Sequence, residues 1–357
     1  MNEQLTSRQL ACLLILSMLG GVSFIGGANE AGRDTWLALL LGGLAYCPLL
    51  LCYLKLLEGQ DSLEGVFCQA AGPRIGRALC LFYGLIALYL AAVTLSVFSF
   101  FVTETSLTAT PRAVLALLMA LTAAFAARSS LPALGRFGQM LAPAAAAFLL
   151  VSIFTALPEC DFRALLPLIS RPQGLFRGAW SSLTMSFAES FFPLMALGIG
   201  IRDGRRRAQG AFGAAALGGA TLCAVFIKNL AALDYHAMSS YYFPSFAVGS
   251  LASLGAFFQR FEAFVAVNFL FCQLCKAALC LLFAQRALAP LLGVEEPRRL
   301  SGLLALAAAN FGLLFFSSEM ALFVWLGLQK YLLTPPLLIL PPLLALSRRL
   351  RCKQTGA

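Results

Sequence analysis

Two ionisable residues stand in apolar surroundings, and their types suggest a binding chemistry. Glu189 lies in SFAESFFPLMAL, residues 186–197, four residues before Pro193; Lys276 lies inside the apolar stretch 258–285. An ionisable group in a membrane segment is costly and usually serves a substrate, a proton or an opposite charge. Proline at 193 cannot donate to the carbonyl of residue 189, so an acceptor is freed beside the carboxylate. A second weak point is LGGVSFIGG, residues 19–27, where Gly20, Gly21, Gly26 and Gly27 disfavour a continuous helix. Free N–H groups around Gly21 to Phe24 would take a carboxylate. Freed carbonyls near Glu189 would take an ammonium. Together these describe a site for an amino-acid zwitterion. Its candidate ligand-binding residues are Gly20, Gly21, Ser23, Phe24, Ser186, Glu189 and Phe191, with Pro193 as the helix break.

Each feature has a plainer reading. Ser186 and Glu189 also fit a capping box, which would make Glu189 a helix cap. The glycines also fit a close helix-packing face. Glu262, Phe269, Gln273 and Lys276 share one narrow helical face, with Arg260 pointing almost oppositely. Lys276 comes 14 residues after Glu262, roughly 21 Å deeper along a helix. There it would replace a coupling cation or exchange a proton, or else snorkel to the inner interface. Arg260 and Glu262 form either a gate or a structural ion pair. Arg260, Glu262, Gln273 and Lys276 are therefore the candidate charge-coupling or gating residues.

The elements that position these groups are membrane helices. The chain is 60% hydrophobic and 12% charged, with 30 Phe and 30 Gly, and a mean hydropathy of +0.84. Soluble chains carry about 25% charged residues. Ten apolar stretches are long enough to read as spans: about 9–28, 36–57, 78–103, 112–127, 137–157, 179–200, 208–232, 258–285, 300–316 and 320–346. The first is read as a retained span, since its short leading segment balances one Arg against one Glu. The interrupted stretch 241–257 reads as a re-entrant or interfacial hairpin. With the N-terminus inside, seventeen Lys and Arg fall on the inner side and six on the outer, so both termini are expected in the cytoplasm. The formal charge of +10 follows from this bias and calls for no nucleic acid. The whole chain, 1–357, reads as one membrane domain.

Other chemistry is hard to place. His236 is the only histidine, so no multi-histidine metal site is expected. Cys272 and Cys275 form a C-x-x-C, but mid-span and without a second ligand pair. Neither a nucleophile–base pair nor a cofactor motif is visible, so no enzyme activity and no cofactor are expected.

The ten spans divide five and five, about 9–157 and 179–346. Five is odd, so the halves run in opposite directions and form an inverted repeat. The glycine-broken first span and the proline-broken sixth are the first spans of their halves. Interruptions at matching places are a sequence pointer to a transporter binding site.

The chain resembles the B-subunit permeases of endospore germinant receptors, within the amino acid–polyamine–organocation superfamily. The resemblance rests on EAGRDTW (30–36), AAGPRIGRAL (70–79), TPRAVLALL (110–118), SFAESFFPLMAL (186–197), YYFP (241–244) and FFQRFEAF (257–264), taken in order. It implies an all-α membrane protein of ten transmembrane helices with a LeuT-like 5+5 inverted repeat and discontinuous helices 1 and 6. It also implies a midplane amino-acid-type site and a complex with an A-subunit and a lipoprotein C-subunit in the spore inner membrane. Members often carry a proline just after the first-span glycines, where this chain reads FIGGANEAG. The expected function is germinant binding on an amino-acid permease scaffold, with a proton-coupled amino-acid transporter of the same superfamily as the alternative.

Overall fold

The computed structural model describes residues 5–20, 29–166, 169, 171–251 and 261–354. The described chain is helical, without strands among those residues. The helices are α1 (Ser7–Leu19), α2 (Thr35–Leu56), α3 (Leu63–Ala71), α4 (Pro73–Thr105), α5 (Arg112–Arg128), α6 (Leu131–Ala156), α7 (Pro172–Ser182) and α8 (Phe191–Gly198). They continue as α9 (Gly204–Ser240), α10 (Pro244–Leu251), α11 (Glu262–Leu288), α12 (Ser301–Phe315), α13 (Glu319–Thr334) and α14 (Leu340–Gln354). Helix occupies each of the ten expected stretches. Among the described residues, six helical segments are long and apolar enough to cross a membrane: Glu30–Leu56, Pro73–Thr105, Leu131–Glu159, Gly204–Ser240, Glu262–Leu288 and Glu319–Arg351. The remaining four stretches hold shorter pieces, α1, α5, the divided α7–α8 run and α12. The expected hairpin at 241–257 contains α10, and its residues 252–257 lie outside the described residues.

Local sequence explains several boundaries. Thr6 and Gln9 form a reciprocal capping box that starts α1. Gly72 ends α3 at φ +91°, a conformation that suits glycine, and Pro73 opens α4 in the first helical position. Gly76 then lets α4 press on α3, since a β-carbon there would lie 2.5 Å from the Cys68 Cα. Prolines shape the last span. Pro335 and Pro336 open a π-turn over Pro335–Ile339 between α13 and α14. Pro341 cannot donate to the Leu337 carbonyl, and Tyr53 Oη donates to it instead, at 2.8 Å. Tyr83 Oη likewise donates to the Pro336 carbonyl at 2.7 Å.

The centre of the bundle is built from α1, α8 and α11. All eight residues of α8 are buried. Helix α11 lies along α4 and also meets α1 and α8, while α1 packs against α6 and α9. An aromatic cluster joins Phe191 to Tyr53, Tyr83, Phe192 and Phe283, with ring centroids 5.0 to 6.2 Å apart.

Candidate functional site

The end of α1 and a break between α7 and α8 lie side by side; residues 21–28, which follow α1, lie outside the described residues. Helix α1 ends at Leu19, and Gly20 leaves helical dihedrals with ψ 106°. Between α7 and α8 the chain passes through a π-turn over Leu183–Phe187 and a 3-10 turn over Ala188–Ser190. Residues of α1 touch both turns and α8.

This second interruption differs from the sequence reading in place and kind. It was expected at Glu189–Pro193 as an unwound stretch. It is centred on 183–190, and its flanking and capping residues keep right-handed helical dihedrals, so the helix is first widened and then tightened. Pro193 occupies the third position of α8, where its missing N–H is one of the donors a helix start leaves unsatisfied in any case. The capping-box reading is also corrected. Ser186 sits in the π-turn, buried, and its Oγ has no hydrogen-bond partner. The Glu189 side chain turns toward other helices.

Lys276 on α11 joins the two interruptions. Its ammonium lies 2.7 Å from Glu189 Oε2, as an ion pair without hydrogen-bond geometry. It also donates to the Gly20 carbonyl at 3.2 Å. Both side chains are largely enclosed, 7% exposed for Glu189 and 14% for Lys276, so the lysine does not snorkel. Gly20 is needed for this approach: a β-carbon there would stand 2.9 Å from the Cys272 carbonyl oxygen.

The other Glu189 oxygen is held by α13. Gln329 Nε2 donates to Glu189 Oε1 at 3.1 Å. Tyr89 Oη donates to Gln329 Oε1 at 2.9 Å, and Trp325 Nε1 donates to Tyr89 Oη at 2.7 Å. Every bond in this chain points its proton toward the carboxylate. Near this network, the Oγ of Ser186 on the π-turn and the Oε1 of Gln273, one turn before Lys276, are buried without hydrogen-bond partners. Buried polar atoms are rarely left so, and such groups suit a ligand or ordered water.

A second polar cluster lies beside the first. Lys330, next to Gln329 on α13, pairs with Glu30, and Ser181 Oγ donates to Glu30 Oε2 at 3.1 Å. Glu30 opens EAGRDTW, which ties neighbouring segments together through Asp34 Oδ1, an acceptor for the Ile169 N–H at 2.8 Å, and through Arg33, 3.5 Å from Asp234.

The candidate residues therefore separate. Gly20, Glu189 and Lys276 come together, with Ser186 on the adjoining π-turn and Gln273 one turn along α11. Phe191 is fully buried in the aromatic cluster, packed against Tyr53 and Tyr83. Glu262 starts α11 against Gly249 of α10, whereas Lys276 lies near the middle of that helix. Gly21, Ser23, Phe24 and Arg260 lie outside the described residues. Sequence reasoning missed Gln329, Tyr89, Lys330 and Glu30. Lys330 carried a signal, being a cation inside an apolar span. Gln329 carried none beyond its place beside Lys330.

The sequence profile of the family described as spore germination protein matches residues 4–319. The chain belongs to that family. None of the curated proteins compared with it matches. Among solved structures, it is similar to the crystal structure of MhsT in complex with L-phenylalanine, with a TM-score of 0.67 and 14% identity over 96% of this chain and 95% of that one. At that identity the likeness establishes the fold. The chain is thus an all-helical, multi-pass membrane protein on the LeuT-like scaffold of a germination permease.

Proposed function

We propose that this spore germination protein is the germinant-binding subunit of a receptor, taking an amino-acid-type molecule between the two helix interruptions. One observation carries the reading: Lys276 bridges the end of α1 at Gly20 to Glu189 after the π-turn. The bridge places freed backbone groups and a fixed charge pair at one point, the chemistry a zwitterion needs. Family membership supports the germination role, and the L-phenylalanine bound by MhsT supports the ligand class.

In this reading the chain crosses the membrane ten times as two inverted five-helix halves, with both termini in the cytoplasm. The short helices α1, α5 and α12 and the divided α7–α8 run supply the four crossings beyond the six long ones. Glu189 is already held by Lys276 and Gln329, so it fixes the geometry of the site and leaves the ligand ammonium to backbone carbonyls. Ser186 and Gln273 supply the unused side-chain contacts, and the segment from Gly21 to Phe24 receives the carboxylate. An A-subunit and a lipoprotein C-subunit complete the receptor in the spore inner membrane.

Calorimetric titration of the purified protein with amino acids, nucleosides and sugars tests the ligand class. Saturable binding by an amino acid, lost in Ser186→Val and Gln273→Leu variants that unfold at the wild-type temperature, is the expected result. Binding of only nucleosides or sugars overturns it. The same amino acid, radiolabelled, is then offered to proteoliposomes. Absence of uptake agrees with a receptor; uptake driven by a proton gradient replaces it with a proton-coupled transporter.

A further inference from the structure

Helix α1 has a second polar–apolar feature, facing α6 and α9. A groove of about 610 Å3 runs between α1, α6 and α9. Arg8, Cys12, Ile15, Leu16 and Leu19 line its α1 wall, four or fewer residues apart, so they form one continuous face. The opposite wall is cut low by small residues of α6, chiefly Ala142 and Ala146, and closed by Leu149 and by Leu217 of α9.

From Arg8 to Leu19 the groove follows eleven helical steps, about 16 Å. That is close to the depth of one leaflet, half of a hydrocarbon core about 30 Å thick. Its inner mouth is polar. Arg8 is exposed; Arg136 of α6, exposed and just outside the groove lining, follows Gly135, which packs on Leu5 and Gln9 at the start of α1. Gln139 lines the mouth, and Pro143 one turn later cannot donate to its carbonyl. Two cations thus sit beside a freed acceptor above a narrow apolar slot.

We propose that this groove is a binding site for one anionic glycerophospholipid of the inner leaflet. The phosphate pairs with Arg8 and Arg136, a headgroup hydroxyl donates to the Gln139 carbonyl, and one acyl chain fills the slot as far as Leu19. The choice of leaflet rests on the cytoplasmic N-terminus proposed above; the groove itself does not depend on the ligand reading. Since its floor is α1, whose end carries the Gly20 carbonyl, a seated lipid holds the position of that helix.

The test uses the full chain in a mild detergent, titrated with dioleoylphosphatidylglycerol or dioleoylphosphatidylcholine and read by native mass spectrometry. Wild type should retain one phosphatidylglycerol, with phosphatidylcholine retained at least about fivefold less, the factor expected from one interfacial arginine. Arg8→Gln should shrink that preference while still retaining lipid. Ala146→Phe should lose both lipids at an unchanged unfolding temperature; if that variant unfolds early, Ala142→Leu takes its place. Equal retention of the two lipids by wild type overturns the headgroup assignment. Undiminished retention in the groove-filling variant overturns the slot. Glycerol phosphate at the same concentration should not displace the lipid; displacement would reduce the site to a phosphate site and overturn the proposal as stated.

Discussion

At the scale of single residues, the Glu189–Lys276 pair dominates. Each member neutralises the other where water is scarce, so removing one leaves an uncompensated charge. Breaking such a pair typically costs about 3–5 kcal/mol, whereas replacing both partners with apolar groups is often close to neutral. Glu189→Leu and Lys276→Met should each lower the unfolding midpoint in detergent strongly, and the double variant should recover most of the loss. Additive losses in the double variant would show that the two side chains do not act as a pair. The Lys330–Glu30 pair is different, because the Glu30 side chain is 39% exposed. Solvent screening weakens it at the glutamate, but Lys330 is 7% exposed, so Glu30→Gln should cost more than a surface pair, about 1–3 kcal/mol, and less than either single change at Glu189–Lys276 in the same measurement. The carboxylate and the lysine were both legible in the sequence as charges out of place. Their pairing was not, because a separation of 87 residues along the chain carries no information about which helix faces meet.

At the scale of elements, the position of the second interruption gives a test. Proline was the visible breaker, and the sequence reading put the break beside it. The π-turn over Leu183–Phe187 contains no proline or glycine, so propensity offered no sign of it. Tertiary contacts hold it: the Phe187 ring meets Tyr46 at 5.7 Å between centroids, and Ser190 shares a hydrogen bond with Tyr46. Pro193→Ala should therefore leave the interruption in place and change stability by about 1 kcal/mol at most, read by thermal unfolding. A loss of several kcal/mol would return the break to the proline. Gly20→Val should behave oppositely. Its β-carbon meets a backbone oxygen, which cannot rotate away, so α1 must separate from α11 and Lys276 must lose the Gly20 carbonyl. Overpacking of this kind costs about 1–3 kcal/mol; amino-acid affinity should fall by about tenfold or more, measured by calorimetry.

At the scale of the whole molecule, charge placement predicts an ionic requirement. The Lys276 ammonium occupies the carbonyl at the end of α1, where a bound metal cation would otherwise be stabilised. Amino-acid affinity should be unchanged when sodium is replaced by choline at constant ionic strength; a strict sodium requirement would remove Lys276 from that role. The helical membrane architecture was readable from hydropathy, because each apolar stretch carries its own signal. The linkage through α13 was hidden, since Gln329 and Lys330 gain meaning only from Glu189 and Glu30 on other helices. That linkage has a mechanical consequence. Adjacent residues project about 100° apart, and one residue of axial slip is about 1.5 Å. A rotation or slide of α13 large enough to free Gln329 from Glu189 therefore carries Lys330 away from Glu30 as well. Like a plug with two pins, the helix seats fully or withdraws fully, and a probe on either contact reports on both.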